Sequence, residues 1–93
     1  MKITLRTFAD FRETIGSREV ELSLPEGASV SRLLQSLCDS HPALKGKIFD
    51  GAGNLKPYIL ILRNGHNIAS LEQLDTLLCD RDIVALFPPV AGG

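Results

Sequence analysis

The feature that most constrains this chain is a double change of hydrophobic period: apolar residues alternate, then recur at helical spacing, then return to short strand-like runs. Ile3 and Leu5 alternate with Lys2, Thr4 and Arg6, and Glu19-Val20-Glu21-Leu22-Ser23-Leu24 alternates more cleanly still. A period of two puts successive side chains on opposite faces, so both runs predict half-buried strands. Ile15-Gly16-Ser17 breaks the chain between them and Pro25-Glu26-Gly27 closes the second, which predicts a hairpin. Val30, Leu33, Leu34, Leu37 and Cys38 then fall at i, i+3, i+4, i+7 and i+8, the single apolar stripe of an amphipathic helix. Ser29 is placed to cap that helix and His41-Pro42 to end it.

Residues 43–56 carry a weaker pattern. Leu44, Ile48 and Phe49 fit a short second helix, and Asp50-Gly51-Ala52-Gly53-Asn54 reads as a mobile loop. Tyr58-Ile59-Leu60-Ile61-Leu62 is apolar on both faces, as a central strand is, and Asn64-Gly65 turns it into a short strand at 66–68. Leu71, Leu74 and Leu78 support a turn or short helix, and Asp80-Arg81-Asp82 a turn. Residues 83–87 form a last strand, stopped by Pro88-Pro89 because neither proline can donate to a ladder. The predicted class is α+β, a mixed sheet of four to five strands packed on one main helix. A crossover through that helix can set the first and last strands side by side, in parallel, at the sheet centre. Ile3, Leu5, Val20, Leu22, Val84 and Leu86 are then the expected core partners of the helix stripe. Ile83, Ala85 and Phe87 fall on the outer face, either as a docking patch or as a surface covered by residues 43–56.

Composition narrows the function. The 93 residues suit one domain, and 44% hydrophobic and 23% charged residues are ordinary globular values. A formal net charge of -1 gives no electrostatic reason to expect nucleic acid or an anionic membrane. No apolar run approaches the ~20 residues that span a bilayer, and no apolar leader follows Met1-Lys2-Ile3, so a cytoplasmic protein is expected. Cys38 and Cys79 lack CxxC spacing and read as reduced structural thiols. His41 and His66 have no ligand-spaced neighbour, and Asp80 and Asp82 fit a turn, so no metal is expected. The chain has neither a GxxxxGK[ST] loop nor a convincing catalytic triad.

What remains is the C-terminus. Gly92 and Gly93 lack Cβ atoms, so they can enter a narrow channel and let a reactive group approach the terminal carbonyl. The residues after Phe87, extended at ~3.3 to 3.6 Å each, reach roughly 20 Å, enough to enter another protein's active site. Pro88 and Pro89 favour that extension. Residues 1–87 therefore read as a folded domain and 88–93 as a flexible tail. A carboxylate is a poor electrophile, so its activation has to come from a partner.

The segment Ile83-Val84-Ala85-Leu86-Phe87-Pro88-Pro89-Val90-Ala91-Gly92-Gly93, with Phe8-Ala9 and Leu24-Pro25-Glu26-Gly27-Ala28, resembles the ubiquitin-like β-grasp sulfur carriers. The nearest types are the small subunit of molybdopterin synthase and the small archaeal modifier proteins; thiamine carriers are generally shorter and lack a 43–56 region. The resemblance implies a β-grasp fold, no cofactor bound by the chain, and an E1-like enzyme that uses ATP and magnesium to adenylate the Gly93 carboxylate. A sulfur donor then gives a thiocarboxylate for molybdopterin synthesis, with the catalytic groups on the synthase's large subunit. A lysine amine of a target protein gives an isopeptide bond instead. A third reading is a non-covalent binding module. The resemblance also implies a monomer when free, with Phe8, Phe87, Pro88, Pro89, Val90, Ala91, Gly92 and Gly93 binding partners. Such proteins usually carry glycine where Arg81 stands and an acidic residue where Ile83 stands, so an altered turn and a more apolar partner surface are expected here.

Overall fold

The computed structural model describes residues 1–89. β1 (Lys2–Thr7) and β2 (Glu19–Ser23) pair antiparallel, with Ile3 opposite Leu22 and Leu5 opposite Val20. They are not a tight hairpin: helix α1 (Ala9–Ile15) joins them and buries Phe11. The signal was present in Phe8, Phe11 and Ile15, which recur at helical spacing. Gly16 ends α1 with φ 84, a left-handed conformation that glycine adopts without a Cβ penalty, and its N–H donates to the Arg12 carbonyl.

α2 (Val30–Ser40) is the main helix, and the Ser29 hydroxyl accepts from the Arg32 N–H at its start. Val30, Leu33, Leu34 and Leu37 are buried against Ile3, Leu5, Ile61, Val84 and Leu86 in one core. Each fully buried leucine there contributes roughly 1.5–3 kcal/mol. Cys38 is only partly buried beside it.

Residues 42–48 form a 3-10 turn, Pro42–Leu44, and a short helix α3 (Lys45–Ile48), which bury Leu44 and Ile48. Lys47 ties α3 to α1 through Asp10 at 2.7 Å and Thr14 at 2.9 Å. The loop that follows, read from sequence as mobile, is closed by internal hydrogen bonds. Asp50 accepts from the Ala52 and Asn54 N–H groups at 2.9 and 3.0 Å, and its own N–H donates to the Asn54 carbonyl at 2.8 Å. Aspartate is suited to this because its side chain mimics a backbone turn.

β3 (Leu60–Arg63) and β4 (His66–Asn67) are joined by Asn64-Gly65, whose φ values of 49 and 84 are those of the expected hairpin turn. Short 3-10 turns follow at Ile68–Ser70 and Gln73–Asp75. β5 (Ile83–Phe87) runs parallel to β1 and antiparallel to β3, giving the order β2-β1-β5-β3-β4. The central strand is therefore β5, and β3 lies one place from the edge. Tyr58 stands outside β3, 81% exposed, with φ 68. Val20 and Leu22 are half-buried rather than in the core, because β2 is an edge strand. The five-stranded mixed sheet on one main helix is the β-grasp arrangement that the sequence implied, with α1 added. No helix among the described residues is long and apolar enough to cross a membrane.

Candidate partner-docking site

β5 carries both the core and the candidate site. Val84 and Leu86 point inward and are fully buried, while Ile83, Ala85 and Phe87 alternate onto the outer face and are half-buried. Register extends that face: Phe87 lies opposite Leu60, and Ala85 opposite Leu62. Leu60 is 36% exposed and Leu62 half-buried, so β3 and β5 together present an apolar outer surface. This is why residues 58–62 are apolar on both faces without being central. Residues 42–48 pack on α1 and α2, on the core side of the sheet, and leave the outer surface open.

The other half of the same face is charged. Lys2 and Arg6 of β1 pair with Glu21 and Glu19 of β2 at 3.2 and 3.4 Å. These exposed pairs contribute little to stability. They do leave the outer surface divided, apolar over β3 and β5 and ionic over β1 and β2.

At the end of β5 the structure brings Phe8 and Phe87 together, with ring centroids 4.1 Å apart and planes 11° from parallel. Arg12 extends the stack from α1, its guanidinium 5.5 Å from the Phe8 centroid. Its Nε and Nη2 also donate to the Thr7 carbonyl at 3.2 and 3.1 Å, which fixes the guanidinium over the ring. Sequence reasoning missed Arg12; its place four residues after Phe8 becomes informative once α1 is read as a helix. Pro88, half-buried, and Pro89, exposed, continue directly from Phe87. Val90, Ala91, Gly92 and Gly93, the other expected partner-binding residues, lie outside the described residues.

The start of β5 is anchored by Asp82. It is 6% exposed and accepts from Arg63 Nε at 2.7 Å, Asn64 Nδ2 at 2.9 Å and the Cys79 N–H at 2.8 Å. Burial pushes its carboxyl up, but the Cys79 N–H, the Asn64 amide and the Arg63 guanidinium outweigh burial and hold it below the ordinary carboxylate range. The Asp80-Arg81-Asp82 turn is present, and Arg81 adopts φ 70 in it, the conformation glycine would take more easily.

The other candidates stay apart. His41 ends α2 and His66 is exposed in β4, and no group of metal-ligating side chains forms among the described residues. Cys38 lies against the core with its thiol pushed up by burial, whereas Cys79 is exposed and not a packed structural thiol.

Comparison with known proteins matches this arrangement. The family model described as "ThiS family" matches residues 5–93. Small archaeal modifier protein 3 of Haloferax volcanii is 38% identical over 93 residues, covering 100% of both chains. The crystal structure of a Haloferax volcanii small archaeal modifier protein, SAMP1, superposes with TM-score 0.89, at 38% identity over 100% of both chains. A Pyrococcus furiosus protein assigned provisionally as molybdopterin converting factor subunit 1 superposes with TM-score 0.78, at 33% identity over 97% of this chain and 99% of its own. The alternation of β5, the mixed sheet around α2 and a family match running from β1 to Gly93 lead to one conclusion: this chain belongs to the ThiS family of ubiquitin-like β-grasp proteins.

Proposed function

We propose that this protein is a ubiquitin-like sulfur carrier whose reacting group is the Gly93 carboxylate. An E1-like enzyme, using ATP and magnesium, adenylates that carboxylate and releases pyrophosphate. Hydrosulfide then attacks the acyl carbon, AMP leaves with the bonding pair, and the thiocarboxylate that results donates sulfur in molybdopterin synthesis, on the large subunit of a molybdopterin synthase. The protein is the cosubstrate in this scheme and supplies no catalytic group.

The observation that carries the proposal is the family match, which runs through Gly92-Gly93 on a chain whose last strand hands directly to Pro88-Pro89. The apolar surface of Leu60, Leu62, Ile83 and Ala85, with the Phe8–Phe87 stack, fits a docking face beside the tail. The molybdopterin branch draws on the likeness to the Pyrococcus furiosus protein. The test is pyrophosphate exchange by an E1-like enzyme from the same source. The full chain is expected to support exchange and a chain lacking Gly93 to support none; equal exchange with both contradicts the proposal.

A second reading has its own support, since the relative that matches along its whole length is named a modifier protein. In that reading a lysine amine of a target protein attacks the adenylate and forms an isopeptide bond. Its signature is a remnant of residues 82–93 joined to lysines of other proteins after trypsin digestion, because Arg81 is the last basic residue before the C-terminus, and it is lost when Gly93 is deleted.

A further inference from the structure

β2 forms one edge of the sheet and, among the described residues, is paired by β1 alone. The Leu24 N–H donates to the Met1 carbonyl and the Thr7 N–H to the Arg18 carbonyl, each at 2.9 Å. An antiparallel ladder repeats every two residues, so Arg18, Val20, Leu22 and Leu24 face β1. The N–H and C=O groups of Glu19, Glu21 and Ser23 therefore point out of the sheet edge. Those of Glu19 are already engaged: the Ser17 hydroxyl donates to its carbonyl at 2.8 Å and accepts from its N–H at 3.4 Å. At the other end Pro25 has no N–H to offer. Glu21 and Ser23 are left as an open window between these two stops.

The side chains around the window have a definite polarity. Val20 and Leu22 point toward the core side but are only half-buried, whereas their partners Leu5 and Ile3 are fully buried. On the opposite face Glu19 and Glu21 are 58% and 62% exposed and form the outermost column, with Arg6 and Lys2 one strand inward. An incoming strand meets apolar surface on one side and carboxylates on the other.

We infer that β2 accepts an additional strand from a partner protein, an extended segment that alternates apolar and basic residues. Its backbone pairs with Glu21 and Ser23, its apolar side chains cover Val20 and Leu22, and its basic side chains stand opposite Glu21. A second copy of this chain fits less well: pairing centred on Glu21 sets that carboxylate against its own equivalent, and pairing Glu21 with Ser23 brings no basic side chain opposite it. This edge lies across the sheet from β3 and the apolar face, so both surfaces can be occupied at once, and the inference does not depend on the chemistry of Gly93.

The test titrates the isotopically labelled full chain with a synthetic peptide that alternates lysine and valine, read by amide chemical shifts and hydrogen exchange. Protection is expected at the Glu21 and Ser23 amides, with about tenfold weaker binding for Glu21→Lys and for a peptide alternating glutamate and valine. A lysine–valine peptide N-methylated along its pairing edge is expected not to bind; this control leaves the protein unaltered, so it does not depend on the variant's folding. Equal binding of the N-methylated peptide, shifts confined to the Leu60 and Phe87 face, or protection of Glu21 by self-association without peptide would each overturn the inference.

Discussion

Two neighbouring residues in the turn before β5 act in opposite directions. Arg81 holds φ 70, and its one charged contact among the described residues is an exposed pair with Asp80 at 3.8 Å, which contributes little. Arg81→Gly is expected to stabilise the fold by about 0.5–1 kcal/mol, seen as a higher urea midpoint, because relief of left-handed strain exceeds the entropy that glycine adds to the unfolded chain. Asp82 is the reverse case, a buried carboxylate that Arg63, Asn64 and the Cys79 N–H all use. Asp82→Asn is expected to cost about 2–3 kcal/mol near neutral pH, since it leaves the Arg63 charge half-buried without its partner. The sign of the pH dependence follows from the depressed carboxyl. Its contribution is complete above the ordinary carboxylate value of about 3.9 and is lost as pH falls through the lower folded value. Urea unfolding should therefore show the gap between the two proteins narrowing below about pH 4.

Among the elements, β1, β2, α2 and β5 were legible because each has one uncovered or half-covered face, and a half-buried element writes its period into the sequence. The outward residues of β5, Ile83, Ala85 and Phe87, and the parallel partnership of β1 with β5 were readable for that reason. α1 was not read, although Phe8, Phe11 and Ile15 have the spacing, because seven residues supply barely two turns of pattern. Residues 58–62 were misplaced because a partly exposed apolar face and a buried second face look alike in a run of apolar residues. With α1 went Arg12, whose role exists only through tertiary contact with Phe8 and the Thr7 carbonyl. Arg12→Ala is expected to cost about 1 kcal/mol in thermal or urea unfolding and to broaden the NMR signals of Phe87 as the stack loosens. Arg12→Lys should recover only part of this, since an ammonium lacks the planar fork that bonds the carbonyl while covering the ring.

For the molecule as a whole, the sheet divides the work. Its inner face binds α2 and gives stability; its outer face is apolar over β3 and β5, next to the root of the tail. Leu60 sits on that outer surface and contributes little to the core. Leu60→Asp should leave the circular dichroism unchanged but raise the KM for this protein in E1-dependent pyrophosphate exchange about tenfold, with kcat preserved. An unchanged KM would contradict docking of the activating enzyme on this face. The identity of the reacting atom is tested most directly by the intact mass of the protein recovered from its native host, beside a chain lacking Gly93. The sulfur-carrier reading requires a species heavier by the exchange of one oxygen for one sulfur at Gly93, absent from the shortened chain. Recovery of the plain carboxylate alone, under conditions where molybdopterin is being made, would contradict it.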